Sequence, residues 1–158
     1  QIVKRLQLAV RAQTGFILPY GDNPAAPFNM KFYLGGADTV RGWGQRRLSP
    51  KTEDCPTGED KECRHIPIGG NTMILANLEL RFRILQNFYL VSYLDMGDVV
   101  AKNAAFTPDN WNFSSGGGLR LDTPVGKLRL DIAARINETA LSIYESNWAF
   151  HLGLGESF

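Results

Sequence analysis

Along this chain apolar and polar residues alternate in twos, and no helical repeat of useful length interrupts the pattern. Six segments carry the period of a strand that shows a different environment to each face. In the first, Leu6, Leu8, Val10, Ala12, Phe16 and Leu18 share one face, opposite Gln7, Ala9, Arg11, Gln13 and Gly15. In the second, Ile74, Ala76, Leu78, Leu80, Phe82 and Ile84 alternate with Leu75, Asn77, Glu79, Arg81 and Arg83. The third, Phe88 to Met96, begins apolar on both faces, and Asp95 marks its polar side. The fourth sets Phe113, Ser115, Gly117, Leu119 and Leu121 against Asn112, Ser114, Gly116, Gly118 and Arg120. The fifth sets Leu128, Leu130 and Ile132 against Lys127, Arg129, Asp131 and Ala133. The last sets Trp148, Phe150, Leu152, Leu154 and Phe158 against Ala149, His151, Gly153, Gly155 and Ser157.

The pattern predicts an all-β, antiparallel chain, and it favours a transmembrane barrel over a soluble sandwich. In a barrel the apolar face meets lipid and the polar, glycine-rich face lines the lumen. Residues from Met73 to Ile84, at ~3.3 Å rise and ~45° tilt, span roughly 28 Å, about one hydrocarbon core. The connections alternate long, short, long, short, long, which is the rhythm of external loops and periplasmic turns. That places the loop at 21–71 outside and the C-terminal Phe158 on the periplasmic side. Six strands do not close a barrel, since the smallest single-chain bacterial barrels have about eight. Gln1 opens directly in strand-like sequence, so the chain is expected to be a segment of a longer protein, completed by upstream strands or by another chain.

Composition removes other classes. The 158 residues carry 17 basic and 16 acidic side chains, a net charge of +1, which gives no electrostatic basis for nucleic-acid binding. No apolar run approaches the ~18 to 20 residues of a membrane helix. The two histidines, His65 and His151, stand beside no recognisable nucleophile motif, so no enzyme activity and no cofactor are expected. Gly116 to Gly118 precede no helix and lack the lysine of a phosphate loop; they fit a thinned lumen wall or a kinked strand.

The chemistry lies in position rather than abundance: FYLGGADTVRGWGQRRLSP places Arg41 and Trp43 among glycines inside a long connection. That segment resembles the signature of the BamA-type outer-membrane assembly family. The resemblance continues in order through GGNTM, ANLELRF, YLDMGDV, SSGGGLRLDTPVGKLRLDIA and the ending WAFHLGLGESF, covering essentially the whole chain. It implies the C-terminal part of a sixteen-stranded barrel of the bacterial outer membrane, with periplasmic POTRA domains upstream, and a VRG loop that folds back into the lumen. Gly35, Gly36, Val40, Arg41, Gly42 and Trp43 would then form a latch, with Gly44 adding backbone freedom. Arg41 would be its pin, and the lumen-facing Glu79 and Asp95 its partners, because a buried guanidinium needs carboxylates in fork geometry. Without the motif, Arg41 reads as a solvated loop arginine and the two acids as groups that polarise a water-filled lumen.

Cys55 and Cys63, in CPTGEDKEC of the same loop, are expected to be bonded in an oxidising exterior. His65 nearby does not complete any closed zinc pattern, and no metal site is expected. Phe150, Leu152, Gly153, Leu154 and Phe158 resemble the terminal signal strand of bacterial barrels, which in the family pairs weakly with the barrel's first strand. The glycines would weaken its grip further. The function implied is insertion and folding of outer-membrane proteins by strand templating at that seam. A TamA-like translocation and assembly module or a two-partner secretion transporter is the alternative, and a passive porin the third reading. Implied partners are outer-membrane lipid, unfolded outer-membrane protein clients, the remaining barrel strands and POTRA domains, and accessory lipoproteins.

Overall fold

The computed structural model describes residues 5–20, 26–55, 63–101, 110–137 and 146–155. Six long strands form one antiparallel sheet: β1 (Leu6–Phe16), β4 (Thr72–Leu85), β5 (Phe88–Val100), β6 (Asn112–Thr123), β7 (Gly126–Arg135) and β8 (Trp148–Leu154). Their order in space is β1-β4-β5-β6-β7-β8, so every long strand pairs with the next one in the chain. Two short strands, β2 (Lys51–Asp54) and β3 (Arg64–Pro67), make a separate hairpin inside the first long connection. Phe158, part of the terminal signal, lies outside the described residues, as do 21–25 and 102–109 of the connections.

The two faces of the large sheet are inverted relative to a soluble protein. Large apolar side chains on one face are exposed, among them Leu8 at 63%, Val10 at 66% and Leu152 at 66%. On the opposite face Glu79, Asp95 and Asp131 are fully buried. Water would drive the leucines inward and hydrate the carboxylates, so the arrangement suits a sheet whose outer face meets hydrocarbon. All six strands of the alternation pattern are present. The third runs four residues further than the period suggested, to Val100, because Gly97 and Val99 pack under the long loop rather than ending the ladder.

The β2–β3 hairpin was not legible. Its arms, KTED and RHIP, are too short and too charged to show a period, and their pairing depends on the loop that delivers them. Register runs from Lys51 opposite Pro67 to Asp54 opposite Arg64, and the Cys55–Cys63 disulfide follows at once, with Cα atoms 4.3 Å apart. Gly116 to Gly118 sit in an unshifted β5–β6 ladder, so they do not kink it. Instead, a Cβ at Gly116 would fall 2.6 Å from the Tyr93 hydroxyl, and one at Gly118 would collide with Asp131. The missing side chains make room for lumen-facing groups on the neighbouring strands.

Sheet curvature follows from contacts to one loop residue. Arg11 on β1 donates to the Asp38 carbonyl at 2.9 Å, and Arg129 on β7 donates to the Asp38 carboxylate. Those strands are four ladder steps apart, roughly 19 Å across a flat sheet at ~4.8 Å per strand. Two arginines cannot meet on one residue over that span, so the sheet curls around the loop. The inverted faces yield a direct expectation. In the full-length barrel Leu78→Arg, near the middle of β4, should cost ~2 to 4 kcal/mol, and Ile84→Arg, near its end, ~0 to 1, by urea titration in lipid bilayers. Equal costs at both sites would contradict a hydrocarbon-facing surface.

Candidate functional site

The loop between β1 and β4 enters the hollow of the curled sheet, and its local geometry explains the glycines. It folds back on itself through a bridge between Leu34 and Leu48. The Gly36 N–H donates to the Trp43 carbonyl at 2.9 Å, closing a tight turn around Val40. Gly35 and Gly36 have φ of 97° and 105°, a region where a side chain would strain the backbone. At Gly42 the constraint is space, since a Cβ there would stand 2.5 Å from that of Ser114. The Gly42 N–H donates to the Ser114 hydroxyl at 3.1 Å.

Arg41 is 1% exposed. Its Nε and Nη2 donate to the two oxygens of Asp95 at 2.8 and 2.7 Å, a bidentate fork, and Nη1 donates to Glu79 at 2.8 Å. The Arg41 backbone N–H reaches the same Asp95 carboxylate at 3.1 Å, and Asn77 donates to it at 2.8 Å. The guanidinium lies 3.3 Å from the centre of the Tyr93 ring, a cation–π contact in a desolvated site. A lysine offers a point charge and cannot reproduce the fork and the third bond together.

The network extends past the residues named from sequence. Glu79 also accepts from Arg81 at 2.6 Å and lies 3.5 Å from Arg120, which in turn donates to Asp131 at 2.7 Å. Arg41, Arg81 and Arg120 thus face Glu79, Asp95 and Asp131, three positive charges against three negative ones. Balance of this kind, with hydrogen bonds to most of the oxygens, is what allows burial of ions at all. Alternation put Arg120 and Asp131 on the lumen faces of β6 and β7, but their meeting depends on ladder register, which the period does not encode.

Trp43 is 1% exposed and joins Leu34, Val40, Leu48, Met73, Leu75 and Val99 in an apolar cluster beside the charges. The Arg135 guanidinium lies 5.3 Å from its ring. Six residues of the loop, 37–42, therefore touch every long strand: Arg11 of β1, Glu79 of β4, Asp95 of β5, Ser114 of β6, Arg129 of β7 and His151 of β8. The terminal-strand residues named from sequence fall in two groups. Phe150, Leu152 and Leu154 point outward and are exposed, whereas Gly153 faces inward. Gly153 does not simply thin the strand, because a Cβ there would sit 2.6 Å from Nε of Arg129. Among the described residues, no group of three or more His, Cys, Asp or Glu side chains could hold a metal ion.

A curled antiparallel sheet with a charged interior, an apolar exterior and an arginine-pinned loop inside defines a class, the bacterial outer-membrane β-barrels with a lumen-entering loop. The chain belongs to the Omp85 superfamily, whose domain model matches residues 2–158. It is 31% identical over 131 residues, 81% of this chain, to the outer membrane protein assembly factor BamA of Nitratidesulfovibrio vulgaris. The aligned part spans 15% of that relative's length. Its fold is similar to the crystal structure of BamA from Haemophilus ducreyi lacking POTRA domains 1-3. The TM-score is 0.75 with 20% identity, covering 95% of this chain and 31% of that one.

The site geometry predicts a large penalty for removing the pin. Arg41→Ala leaves two carboxylates buried without their main partner and should cost ~3 to 5 kcal/mol of barrel stability. Arg41→Lys should recover less than half of that loss, because it keeps the charge without the fork. Heat-modifiability and urea titration of the full-length protein read both, and parent stability in Arg41→Ala would contradict the role given to this network.

Proposed function

We propose that this chain is the C-terminal part of the barrel of an outer-membrane β-barrel assembly factor, which inserts and folds outer-membrane proteins by strand templating at a lateral seam. The observation that carries the reading is the asymmetry between the last strand and its neighbours. β8 has seven residues against ten to fourteen in β4 to β7, and its ladder to β7 runs over seven pairs, from Leu128–Leu154 to Ala134–Trp148. Gly155 follows with φ of 103°, where the backbone leaves the strand geometry. A short strand that bends at its end makes a weak partner for the barrel's first strand. An edge freed at that seam would expose N–H and C=O groups to which an incoming strand can pair.

Such templating needs no covalent chemistry and no nucleotide. Identity to the assembly factor of Nitratidesulfovibrio vulgaris supports this reading over a secretion transporter. Clients would be unfolded outer-membrane proteins, and the upstream barrel strands, POTRA domains and accessory lipoproteins would act with this segment.

Seam opening is testable in the full-length protein reconstituted in liposomes. A disulfide placed between Ala149→Cys or a neighbouring position of β8 and the barrel's first strand should stop client insertion, and reductant should restore it. Insertion at the unlocked rate with the seam fully crosslinked would refute templating there.

A further inference from the structure

The last strand has a second role in this structure, as a wall of the loop's binding site. His151, on the inward face of β8, places Nε2 2.9 Å from the carbonyl oxygen of Arg41. A carbonyl only accepts, so Nε2 carries the proton and donates. The bond fixes the backbone of the very residue whose side chain forks onto Asp95. Two positions further along β8, Gly153 stands opposite Arg129 in the β7–β8 ladder. Through the space that a side chain at Gly153 would fill, Arg129 reaches the Ala37 carbonyl at 3.2 Å and the Asp38 carboxylate. Strand β8 therefore holds the loop through the His151 donor, and at Gly153 leaves room for the β7 arginine that holds it from the other side.

Neither contact is part of a β-ladder. The His151 bond lapses when β8 moves by a few ångströms, because hydrogen bonds weaken steeply with distance and angle, whereas the Arg129 bonds are made from β7 and need only that nothing fill the space at Gly153.

We propose that His151 makes seating of the lumen loop conditional on the last strand being in place, so that loop release and seam opening are one coupled event. This deepens the functional reading above and rests on it for the idea that β8 flanks a seam that parts. His151 acts as a positioning residue on the Arg41 backbone. Coupling of this kind is reciprocal: the factor by which a seated strand favours a seated loop is also the factor by which a seated loop favours the strand.

Reciprocity supplies the test. Val40 is fully buried against the sheet, so Val40→Cys in the full-length protein, with any free cysteine outside this segment replaced, reports loop release. Labelling by a membrane-impermeant maleimide is measured on the heat-modifiable, folded fraction in liposomes. In that background His151→Ala should raise the labelling rate at least about five-fold, the lower end of ordinary coupling factors. His151→Gln should label close to the parent rate, because its amide nitrogen can donate to the same carbonyl. His151→Phe, which keeps a ring and removes the donor, should also raise the rate, and it carries the test if His151→Ala yields no folded fraction. In the reverse direction, Arg41→Ala should raise labelling of a thiol at Ala149→Cys on β8 by a comparable factor.

Parent-rate labelling in both His151→Ala and His151→Phe overturns the proposal, and so does a His151→Gln that labels as fast as His151→Ala. Client insertion assayed in the same liposomes separates the two readings. Coupled labelling without insertion leaves the device standing and removes the assembly function, whereas insertion without coupled labelling does the reverse.

Discussion

Charge burial is the constraint from which the rest of this structure follows. A guanidinium taken out of water is tolerated only beside carboxylates in good geometry, and Arg41 finds two of them at 2.7 to 2.8 Å. Glu79 and Asp95 come from adjacent strands, so the arginine can be satisfied only where β4 and β5 are paired in one register, with Asn77 opposite Asp95 and Glu79 opposite Tyr93. The loop is thereby tied to the ladder, and a slip of one residue in either strand would turn its acid toward lipid. Arg81, Arg120 and Asp131 complete the balance, which is why β6 and β7 belong to the same unit as the loop.

Much of the fold was legible because two solvents, lipid and a wet lumen, write a period of two into every strand. Alternation placed Glu79, Asp95, Arg120 and Asp131 on the inner face, and spacing showed which connection was long. What a period cannot carry is the identity of neighbours across the sheet. The Arg120–Asp131 pair needed the β6–β7 register, and the Arg129–Asp38 contact needed the loop's path through the hollow. His151 read as an isolated histidine, since its partner is a backbone carbonyl 110 residues away and leaves no trace in side-chain chemistry. Gly153 read as a weak point in a strand, yet the gap it leaves is occupied by Arg129. The β2–β3 hairpin stayed hidden because its pairing is imposed by the bridge that gathers the loop, not by its own sequence.

Stability and motion in this chain are distributed unevenly. Strands β4 to β7 carry long ladders and share the ion network, whereas β8 is short and holds to β7 by seven residue pairs. The loop sits between these regimes, anchored to the rigid strands by charge and to the last strand by one hydrogen bond. A seam that parts at β8 would remove that weaker anchor first and leave the Arg41 fork and the Arg129 contacts as the remaining restraints. Elements that move are drawn from the less stable parts of a structure, and β8 with its loop contacts fits that description.

The account rests on Arg41 and Asp95 acting as one unit, and a double-mutant cycle measures that directly. Urea titrations of the full-length barrel carrying Arg41→Ala, Asp95→Ala and both changes give the interaction energy, with each single change leaving a buried charge that the double change removes. The account predicts a double variant far less destabilised than the sum of the two single variants, with a coupling of about 2 to 3 kcal/mol, the upper part of the range for residues in contact. Additive costs, within ~0.5 kcal/mol, would show that the loop is not held by this pair and would contradict the account.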